Sequence, residues 1–492
     1  MARDVVVIGA GISGLVDAIL LAETGRDVVV LEQHNIPGGY LQQFRRKQTV
    51  FDVGFHYMGS TLPGRPMRQF LEYLGVWDRI SILPFPEDAA IEVRHGEKRF
   101  AYPARFDRFH EKARAAWPHA HDAVDRFVAD VEDVCARFKW FALKRGRTYL
   151  HPLDMKLSAD SFETHVEGIT DDPWLREALA FQTFNLGLFA DEIPWTKHAL
   201  AFRSNFDLTC RIDGGGGALI DALVERGREL GVEYRFRSGV ESSECEGRQM
   251  RAVTTAKGDR IEASVFVAAC PPKLMLQRIP DDAIRHMYKD RVMRLKDSRG
   301  ALQVFVRLKA PLQSLGETCV LLHDDLEASA AEMPISTILI THPTGVETAE
   351  RGGPRVEAMT YMYQDPFEQW RDLPVLRRGE EYEVLKRRLG ERVVGMISRI
   401  APELPGLVED VYVATPLSHE AYTKNSGGGV FGISHDITQQ GMNRPLPRLR
   451  LKNLYFTGHS ITMPGICGVF INAFDTCDWI RGDQKLFDAV AT

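Results

Sequence analysis

Three glycines and one acid near the start of the chain have the types and spacing that bind a dinucleotide. Gly9, Gly11 and Gly14 follow one apolar run, and Glu32 follows a second. In this pattern the first glycine permits a tight turn, the second lets a pyrophosphate approach the backbone, and the third lets a helix pack closely. A carboxylate at Glu32 can accept hydrogen bonds from both hydroxyls of an adenosine ribose, which argues against a phosphorylated ribose. An ordinary strand–turn–helix unit is the alternative interpretation.

The elements that must position these residues are a buried strand at residues 5–8, a helix, and a second strand at residues 28–31. The N–H groups at the start of the helix would hold the pyrophosphate. Residues 5–22 also have the apolar character of a signal peptide, but Asp17 and the three glycines argue against that interpretation. No other stretch approaches the ~18 uninterrupted apolar residues that a membrane span needs. We therefore expect a soluble protein or one that sits on a membrane surface.

The composition excludes several classes of function. The chain has 492 residues, 44% of them hydrophobic, which is enough for a large core and suggests two or three domains. A formal net charge of −6 gives no reason to expect a nucleic-acid partner. The seven cysteines are dispersed, without a C-x-x-C pair or a zinc-ligand spacing. This cysteine usage predicts reduced thiols, a cytoplasmic location and no metal site.

A second motif, at residues 37–59, combines a glycine pair, arginines and an FDxGxH segment. Gly38 and Gly39 would let the chain pass close to a cofactor, and an arginine could neutralise its phosphates. The region resembles the FAD-dependent family of phytoene desaturases, carotenoid isomerases and retinol saturases, within the amine-oxidase-like flavoproteins. The positions that match the family pattern are Phe44, Arg46, Phe51, Asp52 and Gly54. Gln48 stands where the family usually has glycine.

A glycine loop at residues 213–224 also carries the resemblance, because it is predicted to open an amphipathic helix. Strands are predicted after it, near residues 232–240, 249–255 and 263–269. In the family, this helix and the small sheet complete the FAD domain, and the backbone near Val240 faces the adenine. A surface loop is the alternative interpretation.

Residues 454–480 resemble the family's C-terminal flavin segment, with a strand, Thr-Gly, a short loop and a helix that begins near Gly465. The positive end of that helix would face the pyrimidine side of the flavin and stabilise the reduced anion. Many relatives have an acid directly after the Thr-Gly pair, whereas this chain has His459 and Ser460. Cys467 lies near the expected flavin, where covalent attachment and a small buried cysteine are the two interpretations.

The resemblance implies that FAD is the cofactor. The residues expected to contact it are Gly9, Gly11, Ile12, Ser13, Gly14, Glu32, Gln33, Gly38, Gly39, Tyr40, Arg46, Gly54, Phe55, His56, Val240, Gly458, His459, Gly465, Ile466 and Val469. The chain has one convincing dinucleotide fingerprint, so tight NAD(P) binding is not expected.

The predicted fold class is α/β. It comprises a Rossmann-like FAD-binding domain, with a parallel sheet and helices, and an inserted α+β substrate domain with a mixed sheet and helices. The FAD domain is assigned residues 1–65, 206–274 and 406–492, and the substrate domain residues 66–205 and 275–405. The first insertion is mostly helical in pattern, and the second contains β-rich runs.

A helix predicted at residues 382–400 bears on membrane contact. Its apolar residues recur on one face, and arginines occupy much of the remaining surface. A basic amphipathic helix can lie on an anionic membrane. The alternative is a core-packed helix with a solvated face. Because the family's substrates are apolar, peripheral membrane contact is kept as a prediction.

The chemistry implied by the resemblance comes from the cofactor. A flavin in an apolar tunnel can take hydride from a C–H bond or return it, while the protein supplies alignment and excludes water. His56 and Tyr57 are the candidate catalytic residues, because the FDxGxHY segment runs beside the flavin ring in this family. A structural histidine is the alternative. Further candidates are His435 and Asp436, and residues that could line the cavity are His419, Glu420 and Tyr422.

The function implied by the resemblance is oxidoreduction at the carbon–carbon bonds of a long apolar isoprenoid or polyene, carotenoid-like or retinoid-like. Desaturation, saturation and cis–trans isomerisation share this architecture and remain open. Amine oxidation uses the same fold, and so do lipid carriers that have lost the flavin site. The intact glycine turn and Glu32 argue against such a loss. The sequence leaves the oligomeric state open.

Overall fold

The computed structural model describes residues 2–145, 149, 160–329, 333–343, 351–482 and 485–491. Within this part of the chain there are two seven-stranded sheets and two short antiparallel ribbons. Helices cover the sheets, and the elements that form the candidate site come from both of them.

The first sheet contains the predicted dinucleotide-binding unit. Its strands, in spatial order, are Val240–Glu246, Gln249–Thr255, Arg260–Ala268, Arg3–Ile8, Val28–Leu31 and Glu233–Arg235, and Leu454–Phe456 pairs with Arg260–Ala268. The central strand runs parallel to both neighbours, with Val7 opposite Val267 on one side and Val30 on the other. Val5 and Val7 pack on one side of the sheet, whereas Val6 and Ile8 pack on the other. The unbroken apolar run therefore reflects burial on both faces.

The second sheet is mixed. Its strands, in spatial order, are Val408–Ala414, Gly300–Leu308, Arg355–Met362, Thr337–Thr341, Cys319–His323, Ile91–His95 and Lys98–Tyr102. All neighbouring pairs are antiparallel except Cys319–His323 with Ile91–His95, which is parallel. The two ribbons pair Gln43–Arg46 with Thr49–Asp52 and Ile82–Pro84 with Cys210–Ile212. The first sheet is parallel around strand Arg3–Ile8, and strands Val240–Glu246 and Gln249–Thr255 extend it antiparallel. Together with the mixed second sheet, it confirms the predicted fold class.

The helices enclose both sheets. The α-helices described are Ile12–Ala22, Pro66–Tyr73, Phe106–Ala116, His121–Arg137, Lys139–Ala142, Phe162–Glu167, Pro173–Leu179, Phe181–Phe184, Trp195–Ser204, Gly215–Glu229, Pro272–Gln277, His286–Met293, Asp325–Ala328, Glu380–Ser398, Leu404–Leu407, Pro416–Thr423, Gly465–Arg481 and Lys485–Val490. Short 3₁₀ turns are Gly39–Leu41, Trp77–Arg79, Asp365–Trp370, Ser426–Gly428, Ile437–Gln439 and Gly441–Asn443. Every residue of Ile12–Ala22 is buried, because this helix packs against both Gly215–Glu229 and Gly465–Arg481.

Two elements near the predicted domain boundaries pair or pack with elements assigned to the other domain. Strand Val408–Ala414, which the sequence assigns to the FAD domain, pairs antiparallel with Gly300–Leu308 in the second sheet. Helix Pro66–Tyr73, assigned to the substrate domain, packs Phe70 against Phe474 with ring centroids 4.5 Å apart. The local pattern predicts that a strand or helix forms, but only its pairing and packing partners decide which sheet it joins.

The helix predicted at residues 382–400 spans Glu380–Ser398, and its apolar face is buried. Leu389, Val393 and Met396 pack in a core cluster with residues of the second sheet. The structure therefore favours the core-packed interpretation of this helix over one in which the apolar stripe lies on a membrane. Among the described residues, no helix combines the length and the apolar character needed to cross a membrane.

Candidate active site

The glycine turn forms a cradle directly after strand Arg3–Ile8. Gly9 has a φ of +108°, in the region that favours glycine. A Cβ at Gly14 would lie 2.0 Å from the carbonyl oxygen of Gly9, so only glycine allows the helix to start this close to the turn. Gly11 has an ordinary φ of −71°, and a Cβ there would have no atom within 4 Å. The fold itself therefore does not require glycine at residue 11. A side chain there would enter the space of a cavity.

Glu32 lies at the edge of this cradle with its carboxylate fixed by the backbone. The residue is 7% exposed. Its Oε2 accepts a hydrogen bond from the N–H of Ala10 at 2.7 Å, and its Oε1 accepts one from the N–H of His34 at 2.8 Å. A carboxylate has about four lone-pair positions. Glu32 therefore keeps the capacity to accept the hydroxyls of a ribose placed in the cradle.

A cavity of about 1430 Å³ begins at the cradle and brings most of the predicted site residues together. Those that line it are Gly9, Gly11, Ile12, Ser13, Glu32, Gln33, Gly38, Gly39, Tyr40, Gly54, Phe55, His56, Tyr57, Val240, Gly458, His459, Gly465, Ile466 and Val469. They come from segments far apart in the sequence, and the first sheet with its helices places them around one space.

Gly14 and Arg46 are the two predicted contacts that the structure does not place in the cavity wall. Gly14 acts beneath the cradle, where its lack of a side chain permits close helix packing. Arg46 lies exposed at the end of ribbon strand Gln43–Arg46, with its guanidinium 5.1 Å from the centroid of the Phe44 ring. Arg46 is thus exposed and outside the described cavity wall, and its contact with a cofactor phosphate stays a prediction.

His56 lies in the cavity wall beside a buried carboxylate. Its Nδ1 is 3.6 Å from Oε2 of Glu357, and the histidine side chain is 10% exposed. Neither ring nitrogen has a hydrogen-bond partner among the residues that the structure describes. A buried imidazole without partners is costly. Nδ1 therefore faces the Glu357 carboxylate, and Nε2 is left for a group that occupies the cavity.

Glu357 connects His56 to a buried charged network. Its Oε1 lies 3.4 Å from Nε of Arg355 and accepts a hydrogen bond from the N–H of Asp52 at 3.1 Å. Asp52 in turn accepts a hydrogen bond from Arg351 at 2.7 Å. Burial alone would raise the pKa of Glu357, but the His56 ring and the arginines outweigh it and hold this pKa below its usual value. Glu357 is therefore an anion at neutral pH.

The Tyr57 side chain has a different partner. Its hydroxyl accepts a hydrogen bond from Nδ2 of Asn185 at 2.8 Å. Burial raises the pKa of Tyr57 far above its usual value, so the phenol stays protonated throughout the physiological range. His56 and Tyr57 are adjacent in the chain and both line the cavity, but they belong to separate polar groups.

The C-terminal segment supplies a second helix start at the cavity. Nδ2 of Asn472 donates to the carbonyl oxygens of Gly458 at 2.9 Å and Met463 at 2.8 Å, which ties helix Gly465–Arg481 to the Thr-Gly loop. Gly465 has a φ of +76°, and a Cβ there would have no atom within 4 Å. The positive end of this helix therefore opens onto the cavity.

His435 and Asp436 lie behind this loop and are absent from the described cavity wall. Nε2 of His435 is 2.6 Å from the carbonyl oxygen of His459, and its Nδ1 is 2.6 Å from Nζ of Lys197. Burial, together with Arg444 and Lys197, holds the pKa of His435 well below its usual value. The His435 ring is therefore neutral, and its contacts indicate a structural role. Asp436 accepts a backbone hydrogen bond at the start of the turn Ile437–Gln439.

Of the remaining candidate residues, some line the cavity and one lies outside its described wall. His419 and Tyr422 line the cavity, whereas Glu420 accepts a hydrogen bond from Arg371 at 2.7 Å outside the described wall. Cys467 also lines the cavity, and burial raises its pKa to about 12. A thiol that remains protonated is a poor nucleophile, which disfavours covalent attachment through Cys467.

Away from the cradle, much of the cavity wall is apolar and aromatic. Residues of this part include Phe138, Trp140, Phe141, Leu186, Leu200, Ala201, Leu339, Met359, Tyr361, Val430 and Phe431. They come from helices, from loops and from the second sheet, and the rings of Tyr361 and Phe431 have centroids 6.1 Å apart. The cavity therefore joins a dinucleotide cradle to a space suited to an apolar molecule.

Comparison with known proteins identifies the family. Residues 12–473 match the family described as flavin containing amine oxidoreductase. The chain belongs to this flavoprotein family. It is similar to the all-trans-retinol 13,14-reductase of Danio rerio, with 22% identity over 98% of this chain and 86% of that protein. It is also similar to the carotenoid 3,4-desaturase of Haloarcula japonica, with 25% identity over 94% of each chain.

The fold of the flavoprotein is also found in solved structures. The structure of an oxidoreductase from Methanosarcina mazei matches with a TM-score of 0.66 and 17% identity, over 96% of this chain and 100% of that one. These findings confirm the predicted family, the fold class and FAD as the cofactor.

The residues present fit FAD. A cradle that a Cβ at Gly11 would fill, the fixed carboxylate of Glu32 and the His56 ring, whose Nε2 has no hydrogen-bond partner among the described residues, all border one cavity. Glu32 would hold the adenosine ribose, and the first N–H groups of helix Ile12–Ala22 would hold the pyrophosphate. The start of helix Gly465–Arg481 would stabilise negative charge on the flavin ring.

Several site residues of the flavoprotein were missed at the sequence level. Glu357, Met359 and Tyr361 alternate along strand Arg355–Met362, and the latter two line the cavity while Glu357 reaches His56. Alternation along a strand is a usable signal, because residues two apart share a face. The sequence does not show which face meets the cofactor. That information comes from the pairing of this strand within the second sheet.

Proposed function

We propose that the protein is an FAD-dependent oxidoreductase that acts on a carbon–carbon bond of a long apolar polyene or isoprenoid, carotenoid-like or retinoid-like. The observation that carries the proposal is the continuity of the cavity. One cavity is lined by the glycine cradle, by His56 and by a wall of apolar and aromatic side chains. The similar proteins named as a retinol reductase and a carotenoid desaturase support the same substrate class.

FAD, when bound, supplies a site that accepts or returns hydride. The residues of this chain would then have three tasks. The apolar wall binds the polyene and excludes water from the reacting carbons. The cradle and the helix starts hold the cofactor in one orientation. The pair formed by His56 and Glu357 holds or moves the proton that accompanies hydride transfer.

The direction of the reaction decides what the proton does at His56. In saturation, one carbon of the double bond gains hydride and the other gains a proton, which the imidazole would deliver. In desaturation, one carbon loses hydride and its neighbour loses a proton, which a neutral imidazole would accept. Glu357, with Oε2 3.6 Å from Nδ1, would orient the ring so that Nε2 faces the substrate. Redox-neutral isomerisation is the third outcome on this architecture.

Access to the cavity supports the further proposal of peripheral membrane contact. Trp479, on helix Gly465–Arg481, lines the cavity and is 45% exposed, so the cavity wall reaches the surface there. A tryptophan at such a position suits the interface of a membrane that holds apolar substrates.

The two sheets support the assignment of one FAD-binding and one substrate-binding domain.

The test is an anaerobic flavin spectrum of the purified protein in the presence of carotenoid precursors and retinoids. Bleaching of oxidised flavin by a polyene would establish desaturation, and reoxidation of reduced flavin would establish saturation. A change in double-bond geometry with no net redox change would establish isomerisation. Reduction by simple amines with peroxide release in air, and no response to any polyene, would refute the proposal. A protein that purifies without flavin, as a lipid carrier would, would also refute it.

A further inference from the structure

A polar cluster interrupts the apolar part of the cavity wall. It consists of Tyr57, Gln182, Asn185 and Asn205, all of which line the cavity. Nδ2 of Asn185 donates to the Tyr57 hydroxyl at 2.8 Å and to Oε1 of Gln182 at 2.8 Å, and Nδ2 of Asn205 donates to the same Oε1 at 2.6 Å. The four side chains therefore form one hydrogen-bonded unit, called here the amide cluster.

Two donors of the amide cluster are left over. The Tyr57 hydroxyl accepts from Asn185, and within the part of the chain that the structure describes it has no acceptor for its own proton. Burial raises the pKa of Tyr57, which keeps that proton in place. Gln182 is 0% exposed, and its Nε2 has no acceptor among the described residues. Turning the Gln182 amide over by itself would set its nitrogen against the Nδ2 atoms of Asn185 and Asn205, which now donate to its oxygen.

Unsatisfied buried donors are costly and rare in folded proteins, and they favour a ligand that supplies the acceptor. Asn185 bonds to both Tyr57 and Gln182, so the two leftover donors belong to side chains held close together. A hydrocarbon placed against them would leave both donors without partners. An oxygen atom with two lone pairs could accept from both.

We propose that the amide cluster is a subsite for an oxygen atom at one end of the substrate. The substrate is then an apolar polyene that carries a hydroxyl, aldehyde or carboxyl group, and not a pure hydrocarbon. The inference rests on the proposed function, since it takes the occupant of the cavity to be a polyene. The subsite selects by a difference in affinity, because a ligand without the oxygen leaves the donors unpaired.

The test measures the affinity of the flavin-loaded protein for matched ligands. Two all-trans polyenes of equal chain length are compared, one ending in CH₂OH and one ending in CH₃, and binding is followed by perturbation of the visible flavin spectrum. We expect the wild-type protein to prefer the alcohol by about tenfold or more, which corresponds to one or two hydrogen bonds. The corresponding aldehyde should also bind more tightly than the hydrocarbon.

Two variants remove the donors separately. Gln182→Met deletes the amide at nearly constant length, and Tyr57→Phe deletes the hydroxyl. Each should reduce the preference for the alcohol several-fold while leaving the affinity for the hydrocarbon equal or higher. Gln69→Met is the matched control, because it makes the same change of residue type on helix Pro66–Tyr73, at a position absent from the described cavity wall. The control should keep the wild-type preference.

The outcomes separate the two proposals. Equal wild-type affinity for the alcohol and the hydrocarbon would overturn the subsite and leave the proposed function intact. An unchanged preference in both Gln182→Met and Tyr57→Phe would overturn the assignment of these donors. Failure of every polyene to perturb the flavin would overturn the proposed function together with the subsite. Because the readout is a ratio of two affinities for one variant, partial loss of folded protein does not imitate the expected result.

Discussion

Gly11→Val should abolish tight FAD binding without unfolding the protein. Gly11 has a φ of −71° and a ψ of 174°, which valine adopts without strain. A Cβ there meets no atom of the chain within 4 Å, so the new side chain enters the cavity. It would occupy the space through which the pyrophosphate reaches the first N–H groups of helix Ile12–Ala22.

The size of the effect follows from the hydrogen bonds lost. A displaced pyrophosphate loses at least two charge-assisted bonds to backbone N–H groups, each about 1.5–3 kcal/mol. The total of about 3–6 kcal/mol corresponds to an affinity loss of about 10²–10⁴-fold. Flavin content is measured from the ratio of visible to ultraviolet absorbance, affinity by titration of the apoprotein with FAD, and folding by circular dichroism.

Gly395→Val is the matched control. Gly395 also has no atom within 4 Å of a Cβ, but it lies exposed on helix Glu380–Ser398, away from the described cavity wall. This variant should keep its flavin. Normal flavin content in Gly11→Val would refute the assignment of the cradle. An unfolded Gly11→Val protein would refute the argument that its side chain enters open space.

Three further predictions concern packing, catalysis and pH. Gly14→Ala should lower the free energy of unfolding by about 2 kcal/mol or more, measured by chemical denaturation, because its Cβ would lie 2.0 Å from a carbonyl oxygen; an unchanged midpoint would contradict this. His56→Ala should lower turnover by about 10²–10⁴-fold at normal flavin content, and an unchanged rate would make His56 structural. Glu192 accepts hydrogen bonds from Arg299 at 2.8 and 2.9 Å. Burial alone would raise the pKa of Glu192, but hydrogen bonds, chiefly those from Arg299, outweigh burial, so this pKa lies below its usual value. Its contribution to stability, about 1 kcal/mol, is therefore present above the unfolded pKa of about 4.3 and is lost as the pH falls through the lower folded value. Glu192→Gln should reduce the free energy of unfolding at pH 7 and should make this free energy fall less steeply on acidification. Parallel curves of unfolding free energy against pH for the wild type and the variant would exclude a contribution of Glu192 to the pH dependence.

The sequence determined the parts of this protein whose structure depends on near neighbours in the chain. The strand, glycine turn, helix and acid that contain Gly9, Gly11 and Glu32 lie within a short segment, and each residue type has a local steric or hydrogen-bonding reason. This local unit predicted a dinucleotide site, because a dinucleotide cradle is formed by consecutive elements of one βαβ unit. FAD as the particular cofactor, and the flavin-facing helix start at Gly465, were implied by the family resemblance.

Tertiary structure decided the contacts between residues that are distant in the chain. Glu357 meets His56, and Gln182 joins the cluster with Tyr57, only because the second sheet and its helices are folded against the first. Arg46 shows the converse, since its motif predicts a cofactor contact but the ribbon turns its side chain to solvent. The physical reason is that side-chain periodicity defines the faces of a strand, whereas long-range pairing and packing decide what each face meets.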